Sequence, residues 1–513
     1  MFVQRISHLT LITFLSVFCS NAVFAQEVRL ISKTDGTELV GDIVSATIDE
    51  LEIVTGGEYV SVQRRFFDCI GSACPDVDED SYRIMLASEY DIASKFFTHA
   101  IQQFAANESA TLFYDPPNFS LHDPNDELVS RFGIDTFAGT RLFAMLTRGV
   151  VDIIVTEERY NPQIAKEVAE SFQTGPIASV AHEREIAAIG IFVVVNDANS
   201  VSSITLEELD GILSGEIDNW QDVGGADAPI NLFRAKRGGL ISRILDGHLP
   251  GIREAQLLQP HLEFAIETDV VRAVSANVSA MGIVIWPQIE NVRSLLIEDN
   301  CGVVRPVNAF SVKSLESPLS SRLFMYSTLY KSPTVVDFLS LLNQDDLSDM
   351  IDSAGLVDLA VVSSARPQEI EMMQGARADI NDPYVSSFLD THILETEGKK
   401  KLSSHIFFAP NSASLDSAAE QQLNRVISYL RQSGSTQLLI AGYTDDRQDF
   451  DTALSLSEQR AYEVLNVLNE RFPADLIDRI QASTFGFGPL NPLACNDAAE
   501  GRSRNNRVAF WIN

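Results

Sequence analysis

Two residues near the end of the chain, Asp445 and Arg460, have the chemistry to grip a ligand that carries both an ammonium and a carboxylate. A carboxylate accepts hydrogen bonds from an ammonium, and a guanidinium donates a planar fork to a carboxylate. To act together they must be held on two rigid elements. Leu438 to Ala441 is an apolar run of strand type, and Gly442 to Phe450 makes a polar loop. Ser455 with Glu458 three residues on forms a capping-box pattern, which predicts that a helix starts there. Ala461, Val464, Leu465 and Leu468 then recur at helical spacing and give that helix one apolar face. Asp445 is therefore expected where strand gives way to loop, and Arg460 in the first turns of the helix.

This stretch resembles the core of the OmpA-like peptidoglycan-binding domain, whose pattern is a strand, G-H-T-D, a loop, then N-x-x-L-S-x-x-R-A. Gly442, Tyr443, Thr444 and Asp445 align with the first part, and Leu456, Ser457, Arg460 and Ala461 with the second. IFFAPNSASL from Ile406 resembles the opening strand, and EGRSRNNRV from Glu500 the closing E-G-R-x-x-N-R-R-V. The resemblance implies that Asp445 and Arg460 bind the zwitterionic end of diaminopimelate in the wall stem peptide, with Tyr443, Thr444, Asn505 and Arg507 beside them. For Asn505 and Arg507 a second reading stays open, since a terminal strand needs polar edges anyway. Tyr443 stands in place of the usual His, Ala453 in place of an Asn and Asn506 in place of an Arg. These departures spare the main pair and are where a weaker grip is expected.

The long middle, 82–361, alternates strand-like and helix-like segments, which indicates α/β architecture. Val150 to Val155, Ile189 to Val195 and Met281 to Ile285 are apolar throughout, as strands of a parallel, doubly covered sheet require. Thr205 and Glu208 form a capping box ahead of Leu206, Leu209, Ile212 and Leu213, which line one helix face. The segment from Phe192 to Phe233 resembles that of periplasmic phosphate-binding proteins reading L-T-x-x-x-L-x-x-I-F-x-G-x-I-x-x-W-x-D-V-G-G. Ile204, Leu206, Leu209, Ile212, Gly215, Ile217, Trp220, Asp222, Val223, Gly224 and Gly225 fit at constant spacing. The resemblance implies a two-lobed, type II solute-binding fold with a ligand cleft between the lobes.

Oxyanions in such clefts are held by helix N-termini, backbone N–H groups, hydroxyls and arginine. The family's R-x-x-S-G-T loop appears as Arg234 followed by Arg237, Gly238 and Gly239, without the hydroxyls. Its Ser/Thr-rich first loop appears as Ala87-Ser88-Glu89-Tyr90, and its S-S-R loop as Thr156-Glu157-Glu158-Arg159. Candidate anion ligands are thus Ser88, Thr156, Arg159, Arg234, Arg237, Gly238 and Gly239. Glu157 and Glu158 would repel phosphate unless they pair with Arg159 or Arg237. The alternative is that these arginines pair with local acids on the surface of an acidic protein. Trp220 and Trp286 are expected in the core rather than stacked on a ligand.

The rest of the chain sets the frame. A length of 513 residues exceeds one hydrophobic core and suggests roughly three domains. A formal net charge of −33 excludes nucleic acid as a partner, because phosphate binding needs a basic footprint. No metal-ligand motif, nucleotide fingerprint or catalytic signature is present, so neither metal nor cofactor is expected, and the chain is read as a binding protein rather than an enzyme. Residues 1–25 read as a signal peptide: Arg5, an apolar stretch from Leu9 to Phe18, then Val23-Phe24-Ala25 before Gln26. The expected location is the periplasm of a Gram-negative cell, attached to the wall on the outer-membrane side of the envelope.

Four cysteines remain after the signal, an even number suited to an oxidising compartment. Cys69 and Cys74 close a tight loop and are the expected pair. Cys301 and Cys495 then either bridge the middle to the C-terminal domain or stay as buried thiols. Residues 26–75 alternate apolar positions between turn signals and predict a small meander of β-strands, followed by an acidic linker from Asp76 to Asp80. Residues 362–403 read as a connector with a short helix around Glu369 to Arg377, and 404–513 as the OmpA-like domain. The fold expected is therefore multidomain, α/β and α+β. The function expected is a peptidoglycan-anchored solute-binding protein for phosphate or another small anion, partnered by an ABC transporter or other envelope protein. The alternative is a wall-bound structural or interaction protein whose solute-binding fold has lost its small ligand.

Overall fold

The computed structural model describes residues 27–32, 36–46, 50–63, 67–74, 83–89, 91–115, 118–137, 139–172, 183–235, 244–245, 249, 262–264, 267–285, 292–299, 301–327, 332–343 and 347–513. Residues 1–25, read as a signal peptide, Asp76–Asp80, read as a linker, and Tyr90, Arg237, Gly238, Gly239 and Trp286 lie outside the described residues. The chain divides into two compact units, Met1–Asp80 and Ser81–Asn513. Among the described residues no helix is long and apolar enough to cross a membrane.

The first unit is a five-stranded meander. Strands Glu27–Ser32, Glu38–Ala46, Glu50–Thr55 and Glu58–Gln63 pair in sequence, and Phe67–Ile70 closes on the first of them. Val28, Leu30, Leu51, Ile53 and Val62 form its core, in agreement with the alternation read from sequence. Cys69 and Cys74 are joined in a disulfide.

The second unit contains both the solute-binding-like region and the C-terminal domain. In the former, an eleven-stranded sheet carries helices around a single large core. It is mixed rather than parallel. The strand Arg184–Asn196 runs antiparallel to both Ala280–Ile285 and Ser320–Ser327, so it links two halves of the sheet, whereas Ile153–Thr156 and Arg83–Ser88 pair in parallel. Unbroken apolar runs reported burial on both faces, but burial alone carries no strand direction. The Thr205–Glu208 capping box forms as expected, ahead of the helix Leu206–Ser214, and Trp220 is buried in the core.

The C-terminal sheet has the order Ser363–Ala365, Lys400–Phe407, Arg507–Ile512, Gln437–Gly442, Gln481–Gly486. Its first strand falls in the stretch expected as a connector. The helix expected around Glu369 to Arg377 is there as Pro367–Asp379, and the stretch also holds this strand and a second helix, Pro383–Thr396. Ala461, Val464 and Leu468 of the helix Phe450–Arg471 pack on Ile440, Val508 and Phe510, in one cluster with Leu423, Val426 and Leu430 of the helix Ser417–Ser433. Each fully buried Val or Leu side chain is worth about 1.5–3 kcal/mol relative to exposure.

Contacts at several places join the two parts of this unit, the following among them. Cys301 and Cys495 form a disulfide, which resolves the alternative left open above. Arg504 donates to the carbonyls of Ser317 and Pro318 at 2.9 Å, and Arg305 to that of Pro492 at 2.7 Å. At the centre Lys401, fully buried, lies 2.9 Å from Glu316 and 3.0 Å from Glu369, while Arg366 caps Glu316 at 2.5 Å. Burial would raise both carboxyls, but the Lys401 and Arg366 charges prevail and hold them below the usual range. Lys401 falls in the stretch expected as a connector, yet it is buried at the centre of this contact.

Candidate functional site

The strand Gln437–Gly442 delivers Thr444 and Asp445 to one end of the C-terminal sheet. The helix Phe450–Arg471 brings Arg460 against the same end. The helix starts five residues before the predicted Ser455, because Asp449 caps it by accepting from the Thr452 N–H at 3.0 Å. Strand and helix lie very close: a Cβ on Gly442 would sit 2.0 Å from the Ser457 carbonyl oxygen, so only glycine fits there.

Arg460 is fully buried. Its guanidinium donates to the carbonyls of Ser412 at 2.9 Å, Tyr443 at 3.0 Å and Ala409 at 3.3 Å, and to Asn506 Oδ1 at 2.8 Å. It also lies over the Phe408 ring at 5.2 Å. Burial lowers its pKa to about 10, so it stays cationic at neutral pH. Asp445 is nearly buried. Its Oδ2 accepts from Asn506 Nδ2 at 2.9 Å and from the Arg447 side chain at 2.8 Å. Burial would raise the Asp445 pKa, but the hydrogen bonds from Arg447 and Asn506 outweigh it and leave the group below the usual carboxylate range.

The predicted pair is thus brought together, but through a third residue. Asn506 touches Asp445 with its amide nitrogen and Arg460 with its amide oxygen. The sequence marked Asn506 only as a departure from the family pattern. Thr444 lies beside Asp445, buried, with its N–H on the Gly488 carbonyl at 2.8 Å; its Oγ1 has no hydrogen-bond partner.

The structure places three other predicted residues elsewhere. Tyr443 points into the core, its hydroxyl 2.6 Å from His392 Nε2 and its ring 3.9 Å from the Arg507 guanidinium. Arg507 is fully buried; burial lowers its pKa to about 10, and it donates to the Asn491 carbonyl at 2.8 Å. Asn505 is also buried and holds the loop before it, accepting from the Leu493 N–H at 2.7 Å and donating to the Ala494 carbonyl at 2.7 Å. These three are supports of the fold rather than ligand groups.

In the solute-binding-like region, Ser88 is buried at the end of the strand Arg83–Ser88, and Thr156 at the end of Ile153–Thr156, where its Oγ1 accepts from the Glu158 N–H at 3.0 Å. Arg234 sits on the strand Asn231–Ala235. Arg159 pairs with Glu183 at 2.7 Å and with Asp416 of the C-terminal domain at 2.8 Å, which raises its pKa despite burial. Its charge therefore goes to acids of the protein, the alternative that the sequence kept open. Glu89 accepts a hydrogen bond from the Gly139 N–H, at the start of the helix Thr140–Thr147. Helix N-termini favour anions, and here a side-chain carboxylate takes that position. Among the described residues one grouping of potential metal ligands occurs, Asp299, Cys301 and Cys495, and its two sulfurs are joined in the disulfide.

The OmpA family pattern matches residues 407–506, and that of the PBP superfamily domain matches residues 141–340. The peptidoglycan-binding protein ArfA of Mycobacterium tuberculosis is 38% identical over 108 residues, 21% of this chain and 32% of ArfA. The putative lipoprotein YfiB of Escherichia coli is 33% identical over 112 residues, 22% of this chain and 68% of YfiB. The phosphate-binding protein PstS of Borreliella burgdorferi is 24% identical over 189 residues, 35% of this chain and 66% of PstS. The chain therefore spans about a third of the length of the first of these relatives. Both patterns are of binding types.

Proposed function

We propose, from the premise that this chain belongs to the OmpA family through its C-terminal domain, that it is anchored to peptidoglycan in the periplasm and carries a solute-binding-type domain there. The observation that supports the anchor is the unit of Asp445, Asn506 and Arg460, linked by bonds of 2.9 and 2.8 Å. Asp445 accepts from the diaminopimelate ammonium, and Arg460 donates to its carboxylate, with Thr444 beside them. Charge-assisted hydrogen bonds of this kind contribute about 1.5–3 kcal/mol each. The role is binding without chemistry. Co-sedimentation with purified sacculi tests it: Asp445→Ala is expected to lose about tenfold or more in affinity, and sedimentation at the wild-type level overturns the proposal.

The PBP-type domain takes phosphate or another small anion between its lobes, using Ser88, Thr156 and Arg234 with Arg237, Gly238 and Gly239, for delivery to an ABC transporter or another envelope protein. A second reading is favoured by Arg159 and Glu89. With the arginine spent on Glu183 and Asp416, and a carboxylate at the helix start, the domain presents a protein surface to an envelope partner and binds no small anion. Thermal shift with phosphate, sulfate and small carboxylates separates the two, because a ligand bound only by the folded state raises Tm.

A further inference from the structure

A groove of about 420 Å³ runs between the loop at Asn411 and the first turns of the helix Phe450–Arg471. That volume is in the range of about 300–1,000 Å³ typical of small-ligand sites. Its lining residues come from the same loop and helix as the proposed wall-peptide site. Gln448 lies on the loop that begins at Asp445, and its amide donates to Asn411 Oδ1 at 2.8 Å. Gln459, on the opposite wall, precedes Arg460, and Arg460 is bonded to Ser412, the neighbour of Asn411. The polar groups in the groove are amides and hydroxyls, from Asn411, Gln448, Thr452, Ser455 and Gln459, with one carboxylate, Asp451, and no cation. Such a lining suits a neutral ligand rich in hydroxyl and amide groups rather than an ion.

Beside the groove stands an aromatic ledge. Tyr384 and Phe388, on the helix Pro383–Thr396, meet Phe450 with ring centroids 5.3 to 6.0 Å apart. Tyr384 is 52% exposed, and the carboxylate of Asp451, which lines the groove, lies near enough to raise the pKa of its hydroxyl. An exposed aromatic face is electron-rich and attracts the slightly positive C–H bonds of a pyranose ring, while amides beside it bond the sugar's hydroxyl and acetamido groups.

We propose that this groove and the Tyr384 ledge form a saccharide subsite for the N-acetylated glycan strand of peptidoglycan, next to the site that takes the stem peptide. The inference rests on the wall-binding reading of Asp445 and Arg460. A stem peptide is covalently attached to its glycan, so a chain that holds one end of the peptide has sugar within reach. The subsite makes the two ligands one: peptide fixes the anchor, and sugar adds affinity through effective concentration.

The test titrates the full chain with two probes, a free diaminopimelate tripeptide and the same tripeptide on its N-acetylated disaccharide. The wild type is expected to bind the disaccharide-peptide about tenfold more tightly than the free peptide. Tyr384→Ala and Gln459→Ala each bring that ratio towards one without changing affinity for the free peptide, whereas Tyr384→Phe keeps the ratio. Equal wild-type affinities, or a Tyr384→Ala variant that weakens both probes alike, overturn the subsite. Free-peptide binding that survives Asp445→Ala instead overturns the wall-peptide reading, while the ratio between probes still reports on the sugar. Failure of the wild type to bind either probe overturns both.

Discussion

Arg460 and Arg159 are both arginines that the sequence nominated as ligand groups, and they stand in opposite electrostatic situations. Arg460 is fully buried and donates to three carbonyls and an amide oxygen. Its cation is solvated by dipoles and, among the described residues, forms no ion pair with a carboxylate, which under the proposed function leaves its charge for a ligand. Arg159, with 38% of its side chain exposed, is matched by two acids, Glu183 and Asp416. An arginine that the protein has already neutralised has little left to offer an anion. A motif match places a charge near a site; whether the charge is available depends on what the rest of the chain puts beside it.

The largest expected effect comes from breaking the buried ion cluster that joins the two regions carrying these arginines. Lys401→Met leaves Glu316 and Glu369 buried without their shared cation, 2.9 and 3.0 Å from where it was. Removing one partner of a buried ion pair costs about 3–5 kcal/mol. Chemical denaturation of the oxidised protein should register a loss of that order. A change below about 1 kcal/mol would mean that the neighbouring Arg366 suffices to hold the two carboxylates.

Arg460→Ala against Arg159→Ala sharpens the comparison itself. Truncating Arg460 should reduce sacculus binding by tenfold or more, since a charge-assisted contact is worth about 1.5–3 kcal/mol. The same change at Arg159 should leave sacculus binding unaltered and cost at most about 1 kcal/mol of stability, as for other part-exposed ion pairs. Equal losses of binding in the two variants would remove the distinction drawn here.

The legible parts of this molecule were those whose partners lie close in sequence. Thr205 and Glu208 are three residues apart, and their capping box formed as read. The Asp445–Arg460 pairing was legible because a long motif carried it. Asn506 was not: its value lies in touching both residues at once, and only the return of the last strand beside Gln437–Gly442 creates that contact. Tyr443 was misplaced for a related reason. Its partner His392 sits on the helix Pro383–Thr396, in a stretch whose weak periodicity concealed a helix. Nothing near Lys401 in the sequence marks it as buried, because its counter-charges, Glu316 and Glu369, come from elsewhere in the chain. The Ser455–Glu458 pattern was a genuine local signal that lost to Asp449, which caps the same helix earlier.

Arg447 gives the smallest effect and the finest test of the wall site. Its guanidinium sits on Asp445 at 2.8 Å while 47% of its side chain remains exposed, and under the proposed function it stands where the ligand ammonium would bind. Exposed pairs of this kind are worth about 0.2–1 kcal/mol, and a ligand must displace this one before Asp445 can accept from it. Arg447→Ala should therefore strengthen sacculus binding at neutral pH by up to about fivefold. The same change should move the acid limit of binding. Arg447 and Asn506 hold the Asp445 pKa below its model-compound value of 3.8, so the carboxylate survives as pH falls below that value and is lost only through the lowered folded-state pKa. Without Arg447 the group loses its largest stabilising hydrogen bonds, and burial, which favours the neutral acid, is less opposed. The pH at which binding fails should then rise in Arg447→Ala, giving tighter binding at pH 7 and an earlier loss on acidification. Weaker binding at neutral pH would instead make Arg447 part of the grip on the ligand.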